Sequence, residues 1–145
     1  MTNKGWTLMI LELSKGHALT FEQIQKALFI VQHQMPDGVK NRPQFEYEPF
    51  HFGPHAPAVQ ENVTELVREK MAHVAPGRDG DKVYSITANG SKLAAAMHYD
   101  LGRDVIQYTE RIIDWIRATP AEKVVLEIIK KYPEYQMQSA YRKAA

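Results

Sequence analysis

Ala72-His73-Val74-Ala75-Pro76-Gly77-Arg78-Asp79-Gly80-Asp81-Lys82-Val83-Tyr84-Ser85-Ile86 interrupts an otherwise helical pattern. Two short β segments flank residues 76–81, a loop built of turn formers. The stretch therefore predicts a β-hairpin with a loop longer than the tightest two-residue type. Its neighbours give it meaning. Thr87 reads as the cap of a helix that begins Ala-Asn-Gly-Ser-Lys-Leu and runs to about Tyr99.

Upstream of the hairpin the period is helical. Val59, Val63, Leu66, Val67 and Met71 mark the core face of a helix over about 56–71, with Gln60, Glu61, Thr64 and Arg68 opposite. Residues 20–35 form another. Thr20 and Gln23 make a capping box, Phe21, Ile24, Leu28 and Val31 recur at helical spacing, and Gln25, Lys26 and Gln32 fall toward solvent. Residues 6–13 read as a short helix buried on most sides and ended by Gly16. Between the second and third helices, Phe45-Glu46-Tyr47-Glu48 alternates as a short strand, and Gly53-Pro54 signals a turn. A helical trio followed by a β-hairpin is the winged-helix arrangement of the helix-turn-helix class. The third helix is then the recognition element and the loop at 76–81 the wing.

Downstream, a long amphipathic helix spans about 103–117. Thr119-Pro120-Ala121-Glu122 reads as a capped helix start, and Pro133 stops that last helix. Tyr132-Pro133-Glu134-Tyr135 reads as a helix stop with its rings packed back, and residues 136–145 as a short helix or a solvated, weakly basic end around Tyr141-Arg142-Lys143. The fold class is thus mainly α with a small β-hairpin (α+β). It comprises a winged helix-turn-helix over residues 1–98 and a C-terminal helical extension over 99–145, packed on it as one compact unit.

Three blocks of this sequence resemble a known group. Ile24-Gln25-Lys26-Ala27-Leu28-Phe29 is similar to a helix opening on an apolar residue, then Gln/His-Lys, then Leu-Leu-Phe. Residues 47–54 end Phe50-His51-Phe52-Gly53-Pro54, an aromatic-rich stretch closing in Gly-Pro. Tyr84-Ser85-Ile86-Thr87-Ala88-Asn89-Gly90 is close to Tyr-x-Leu-Thr-x-x-Gly. In this order and spacing, over about residues 6–93, they resemble the winged-helix proteins of the Panacea antitoxin-domain group and their short bacterial and phage-linked relatives. The chain departs from that pattern at His55, where an aromatic often follows Gly-Pro, and at Lys70-Met71, where a Gly often leads into the wing. The resemblance implies a winged helix used to bind and neutralise a partner protein.

Composition narrows the function classes. The 145 residues are 44% hydrophobic and 24% charged, which sets whole-chain disorder aside. Without cysteine there is no disulfide framework, thiolate zinc site or cysteine nucleophile. Net charge is +1, which argues against a strongly basic nucleic-acid binder and a polybasic membrane binder. No apolar run approaches the ~18 residues of a membrane span, and Met-Thr-Asn-Lys-Gly-Trp has no signal architecture, so a cytoplasmic location is expected.

Several residues bear on chemistry. His51 and His55 are four apart, a spacing that on a helix puts two zinc ligands on one face, but Gly53-Pro54 between them favours a turn. Glu46 and Glu48 share a strand face and read as solvated. No serine has a nucleophile context and no glycine set forms a phosphate loop; catalytic residues, metal and cofactor are all expected to be none. Of Tyr47, Phe50 and Phe52, at least two are expected in the core, the alternative being an interface. Tyr108 and Trp115, seven apart, line one side of the long helix, as a dimer seam or a cover for the wing domain.

For duplex DNA, Gln60, Asn62, Thr64 and Arg68 are the candidates for bases, with Arg78 and Lys82 for phosphates. Residues 51–100 oppose this with 5 basic and 6 acidic side chains, net −1, whereas residues 101–145 carry 8 basic and 6 acidic, net +2. The expected function is a non-catalytic protein-interaction module, antitoxin-like or a phage-linked regulator, that captures a protein partner through the third helix, the wing and the turn holding Phe50, His51 and His55. The alternative is a DNA-binding transcriptional regulator, for which a homodimer would suit a palindromic operator. The poorer alternative is a small metal-dependent hydrolase around His51, His55 and Glu48.

Overall fold

The computed structural model describes residues 1–136; the sequence reading of Tyr141-Arg142-Lys143 lies outside them. The elements run α1 (Asn3–Leu13), β1 (Leu19–Thr20), α2 (Phe21–Gln34), β2 (Glu48–Phe50), β3 (Gly53–His55), α3 (Pro57–Arg68), β4 (Ala72–Pro76), β5 (Lys82–Ile86), α4 (Ala88–Met97), α5 (Arg103–Ala118) and α6 (Ala121–Lys131). Single 3-10 turns follow α4 at His98–Asp100 and α6 at Pro133–Tyr135.

The helix α1 is the centre of the molecule. Trp6, Leu8, Met9, Ile10 and Leu11 are all buried, so the helix is surrounded rather than amphipathic. It packs against α2, α3, α4 and α5. Its start is capped by Thr2, whose hydroxyl accepts from the Gly5 N–H, and so begins earlier than the apolar run suggests. The capping box of α2 forms as the sequence requires: the Thr20 hydroxyl accepts from the Gln23 N–H, and the Gln23 side chain accepts from the Thr20 N–H.

The hairpin at 72–86 is present, with pairs from Ala72↔Ile86 to Pro76↔Lys82. A third strand that propensity did not reveal joins it: β1 pairs antiparallel with β5, Leu19 opposite Tyr84 and Thr20 opposite Val83. The sheet order is β1-β5-β4. Two residues are too few to carry a period, so such a strand exists only through its neighbour.

The passage from α3 into β4 explains two sequence features. The Met71 N–H donates to the Leu66 carbonyl at 2.9 Å and the Lys70 N–H to the Val67 carbonyl at 3.1 Å, the two bonds of a Schellman ending. That ending needs a left-handed residue, and Lys70 takes it at φ 63°. Thr87 then ties the hairpin's exit to the same corner. Its hydroxyl donates to the Lys70 carbonyl and accepts from the Gly90 N–H, and its own N–H donates to the Met71 carbonyl. At Gly90 a Cβ would lie 2.1 Å from the Met71 carbonyl oxygen, so only glycine permits this approach.

The loop between α2 and β2 is held by side chains acting as backbone. Arg42 donates to the carbonyls of Gln32, Met35 and Pro36, closing the C-terminal end of α2. Gln32 exchanges two hydrogen bonds with the backbone of Phe45, as Asn3 does with Gln44. These bonds occupy the segment read as a strand, and the observed strand is shifted to Glu48–Phe50. The turn is shifted too. It falls at His51-Phe52, with Gly53 at φ 96° and Pro54 in the returning strand. Pro49 and Pro54 face each other, which an antiparallel ladder tolerates where the pair makes no hydrogen bonds.

The start of α6 also differs. Thr119 ends α5 and turns its hydroxyl back to the Trp115 carbonyl instead of capping α6, which begins behind Pro120 without a side-chain cap. Tyr132 and Tyr135 do pack back, both edge-on to Phe29 at 5.3 and 5.0 Å between ring centres.

Candidate functional site

The outer face of α3 forms one wall of an open groove of about 510 Å³, lined by His55, Gln60, Glu61, Thr64, Glu65 and Arg68. Four of the residues singled out from sequence thus meet here: His55, Gln60, Thr64 and Arg68. Gln60 donates to the Thr64 hydroxyl at 3.4 Å, a one-turn contact along the exposed face. Asn62 does not join them. It lies three residues after Val59 and four before Leu66, within the core-facing arc, and its amide donates to the Thr7 hydroxyl of α1 at 3.4 Å. Arg78 and Lys82 are exposed on the other hairpin and are not in the groove wall.

The groove is more acidic than cationic. Glu65 and Glu69 both pair with Lys4, at 2.9 and 2.8 Å. The hydrogen bond to Glu69, then that to Glu65, holds the Lys4 ammonium protonated above the usual lysine range, and the Lys4 hydrogen bond holds Glu65 below the usual carboxylate range. These exposed pairs contribute little to stability. Glu61 and Arg68 are the other charged side chains described in the groove wall.

At the N-terminal end of α3 the groove abuts the β2–β3 hairpin. The His55 ring is 4.8 Å from the Phe50 ring, which is 5.1 Å from His51. Phe50 and Phe52 are 40% and 47% exposed. This corrects the expectation that at least two of the three rings pack inside: only Tyr47 does, edge-on to Phe29 at 4.9 Å, with burial pushing its hydroxyl above the usual tyrosine range. The two-residue turn puts Phe50 and Phe52 at a hairpin tip, where both are partly exposed. Glu46 and Glu48 are exposed, in keeping with their reading as a solvated face. Among the described residues no cluster of three potential metal ligands accompanies His51 and His55.

Two residues expected in solvent are instead the buried support of this surface. Gln25 is 1% exposed. Its carbonyl oxygen accepts from the Ala56 N–H at 2.7 Å, and its amide lies 3.2 Å from His55 Nδ1. Ala56 begins α3 with no side chain able to cap it, so Gln25 of α2 holds the hairpin's exit in place. Lys26, 4% exposed, lies beneath Gly53 and pairs with Glu22. Burial lowers its pKa and Glu22 partly restores it. Helical spacing alone placed both outside; the hairpin folding over that side of α2 places them inside.

No protein-family model matches the chain, and no curated protein matches it. Among the described residues no helix is long and apolar enough to cross a membrane.

Proposed function

We propose that the chain is a non-catalytic protein-interaction module of winged-helix type, antitoxin-like in that it captures a partner protein by surface complementarity. The surface is the α3 groove together with the β2–β3 tip. The observation that carries this reading is the exposure of Phe50 and Phe52 beside a groove whose lining holds two carboxylates and one guanidinium. Exposed aromatic rings anchor protein interfaces. A duplex would bring phosphates against Glu61 and Glu65, with Arg68 as the one guanidinium or ammonium among the described wall residues. The three-stranded sheet behind a helical trio supports the winged-helix reading.

One observation favours the second reading, a DNA-binding regulator: Gln60, Thr64 and Arg68 do share a face. Fluorescence anisotropy of a labelled mixed-sequence duplex separates the two. A duplex binder shows non-specific affinity of ~10⁻⁴–10⁻⁶ M that strengthens at low salt. The interaction reading expects no rise at low salt. A salt-dependent rise weakened by Arg68→Glu would overturn it in favour of DNA. In parallel, a photo-crosslinking residue at Phe52 is expected to yield a discrete protein adduct in cells, absent when the same residue stands at the exposed Tyr99.

A further inference from the structure

We propose that the cleft between α2, α5 and α6 is a binding site for a small amphipathic anion, an aromatic or branched apolar body bearing one carboxylate. The cleft measures about 350 Å³, within the range of small-molecule sites. Its floor is apolar: Ile30, Ile112 and Ile128, one from each helix, are nearly buried there. Its walls are aromatic. Tyr108 and Trp115 lie seven residues apart, on one side of α5, and Trp115 is 40% exposed. A large ring left open at the edge of an apolar cleft supplies a face for a flat ligand to stack on.

The polar groups at the rim select charge. The Tyr108 hydroxyl donates to the Gln34 carbonyl at 3.0 Å, which fixes that ring. Arg111 lies over the Tyr108 ring at 6.0 Å, between the two aromatic walls in sequence. Lys131 faces the cleft from α6, with Glu127 one turn before it. Among the described residues neither Arg111, Lys131 nor Glu127 has an ion-pair partner within 4.0 Å. Two unpaired cations against one carboxylate leave the rim net positive. A guanidinium beside an apolar floor suits a carboxylate, which it can hold through two N–H donors while the body of the ligand is buried. The cleft shares no residue with the α3 groove, so this inference does not rest on the interaction reading.

The test is calorimetric titration of the full chain with 2-naphthoate and with its neutral analogue 2-naphthamide. Naphthoate is expected to bind saturably, one per chain, and about tenfold more tightly than the amide. Arg111→Gln is expected to remove most of naphthoate's advantage over the amide while leaving the amide unchanged, and Lys131→Gln to weaken naphthoate alone, by a smaller factor. Trp115→Ala is expected to weaken both. All three side chains are at the surface, and unchanged far-ultraviolet circular dichroism verifies the fold. No saturable binding, equal affinity for acid and amide, or indifference of naphthoate to both cation variants would overturn the proposal.

Discussion

Lys26 is a side chain whose setting departs from its chemistry. A lysine in the middle of α2, 4% exposed, has its ammonium against Glu22 and its stem beneath Gly53. Burial outweighs the carboxylate and lowers its pKa, so the folded chain binds this proton less tightly than the unfolded chain. The destabilisation is therefore full below the lowered pKa and is relieved as pH rises toward the ordinary lysine value. Lys26→Met removes the ammonium but keeps the stem. Because the Glu22 carboxylate is 41% exposed and can be solvated once its partner is gone, the change is expected to raise stability at pH 7 by about 1 kcal/mol, the scale of one pKa unit. Urea denaturation at pH 7 and pH 10 is the check. The wild type should gain on the variant as pH rises, while ionisation of Tyr47 affects both alike. A difference that does not change with pH would show that Lys26 is not the titrating group. Its neighbour Gln25 has no such charge, and its burial is compensated by hydrogen bonds to Ala56 and His55.

At the scale of elements, the corner joining α3, β4 and α4 is tied by several backbone and side-chain bonds. Lys70 turns the chain, Thr87 bonds to the carbonyls of residues 70 and 71, and Gly90 lets α4 approach. Gly90→Ala would set a methyl group 2.1 Å from the Met71 oxygen and 2.8 Å from Ile86 Cγ1. Backbone cannot yield as a flexible side chain can, so a loss of about 1–3 kcal/mol is expected from overpacking. It reads out as a lower urea midpoint with an unchanged slope. A variant as stable as the wild type would mean that α4 shifts freely on the sheet. The Tyr-x-x-Thr-x-x-Gly block at 84–90 is thus a packing device at the hairpin's exit.

On the scale of the whole molecule, the C-terminal helices share the core of the first three. Ile112, Ile113 and Ile116 of α5 join the same buried cluster as Trp6 and Leu28. Lys15 pairs with Glu110 at 3.0 Å, and Tyr108 bonds the end of α2. One cooperative unit is expected from this shared burial. Native-state hydrogen exchange is expected to give the amides of Ile10 in α1 and Ile113 in α5 the same opening free energy. A lower value at Ile113 would make residues 99–136 a separately unfolding unit.

Local pattern carried much of this. The helices, the hairpin at 72–86 and the Thr20 capping box were all legible, because period and capping depend on residues within a turn or two of each other. The lone two-residue strand β1 was not, since only its pairing with β5 defines it. Of the candidate surface, the exposed face of α3 could be read from its period, and Gln60, Thr64 and Arg68 lie there. The rest was decided by partners far along the chain. Gln25 goes inside to meet a backbone group 31 residues on, and Asn62 turns toward a hydroxyl 55 residues back. Phe50 and Phe52 are exposed because a turn at His51-Phe52 sets them at the hairpin tip. Local pattern is enough to place the helices, the hairpin at 72–86 and the apolar stripes, whereas the hairpin at 48–55 and strand β1 take shape only against their neighbours. Which polar side chains are buried and which rings are exposed follows from contacts far along the chain, because burial of a polar group depends on a partner that no local pattern contains.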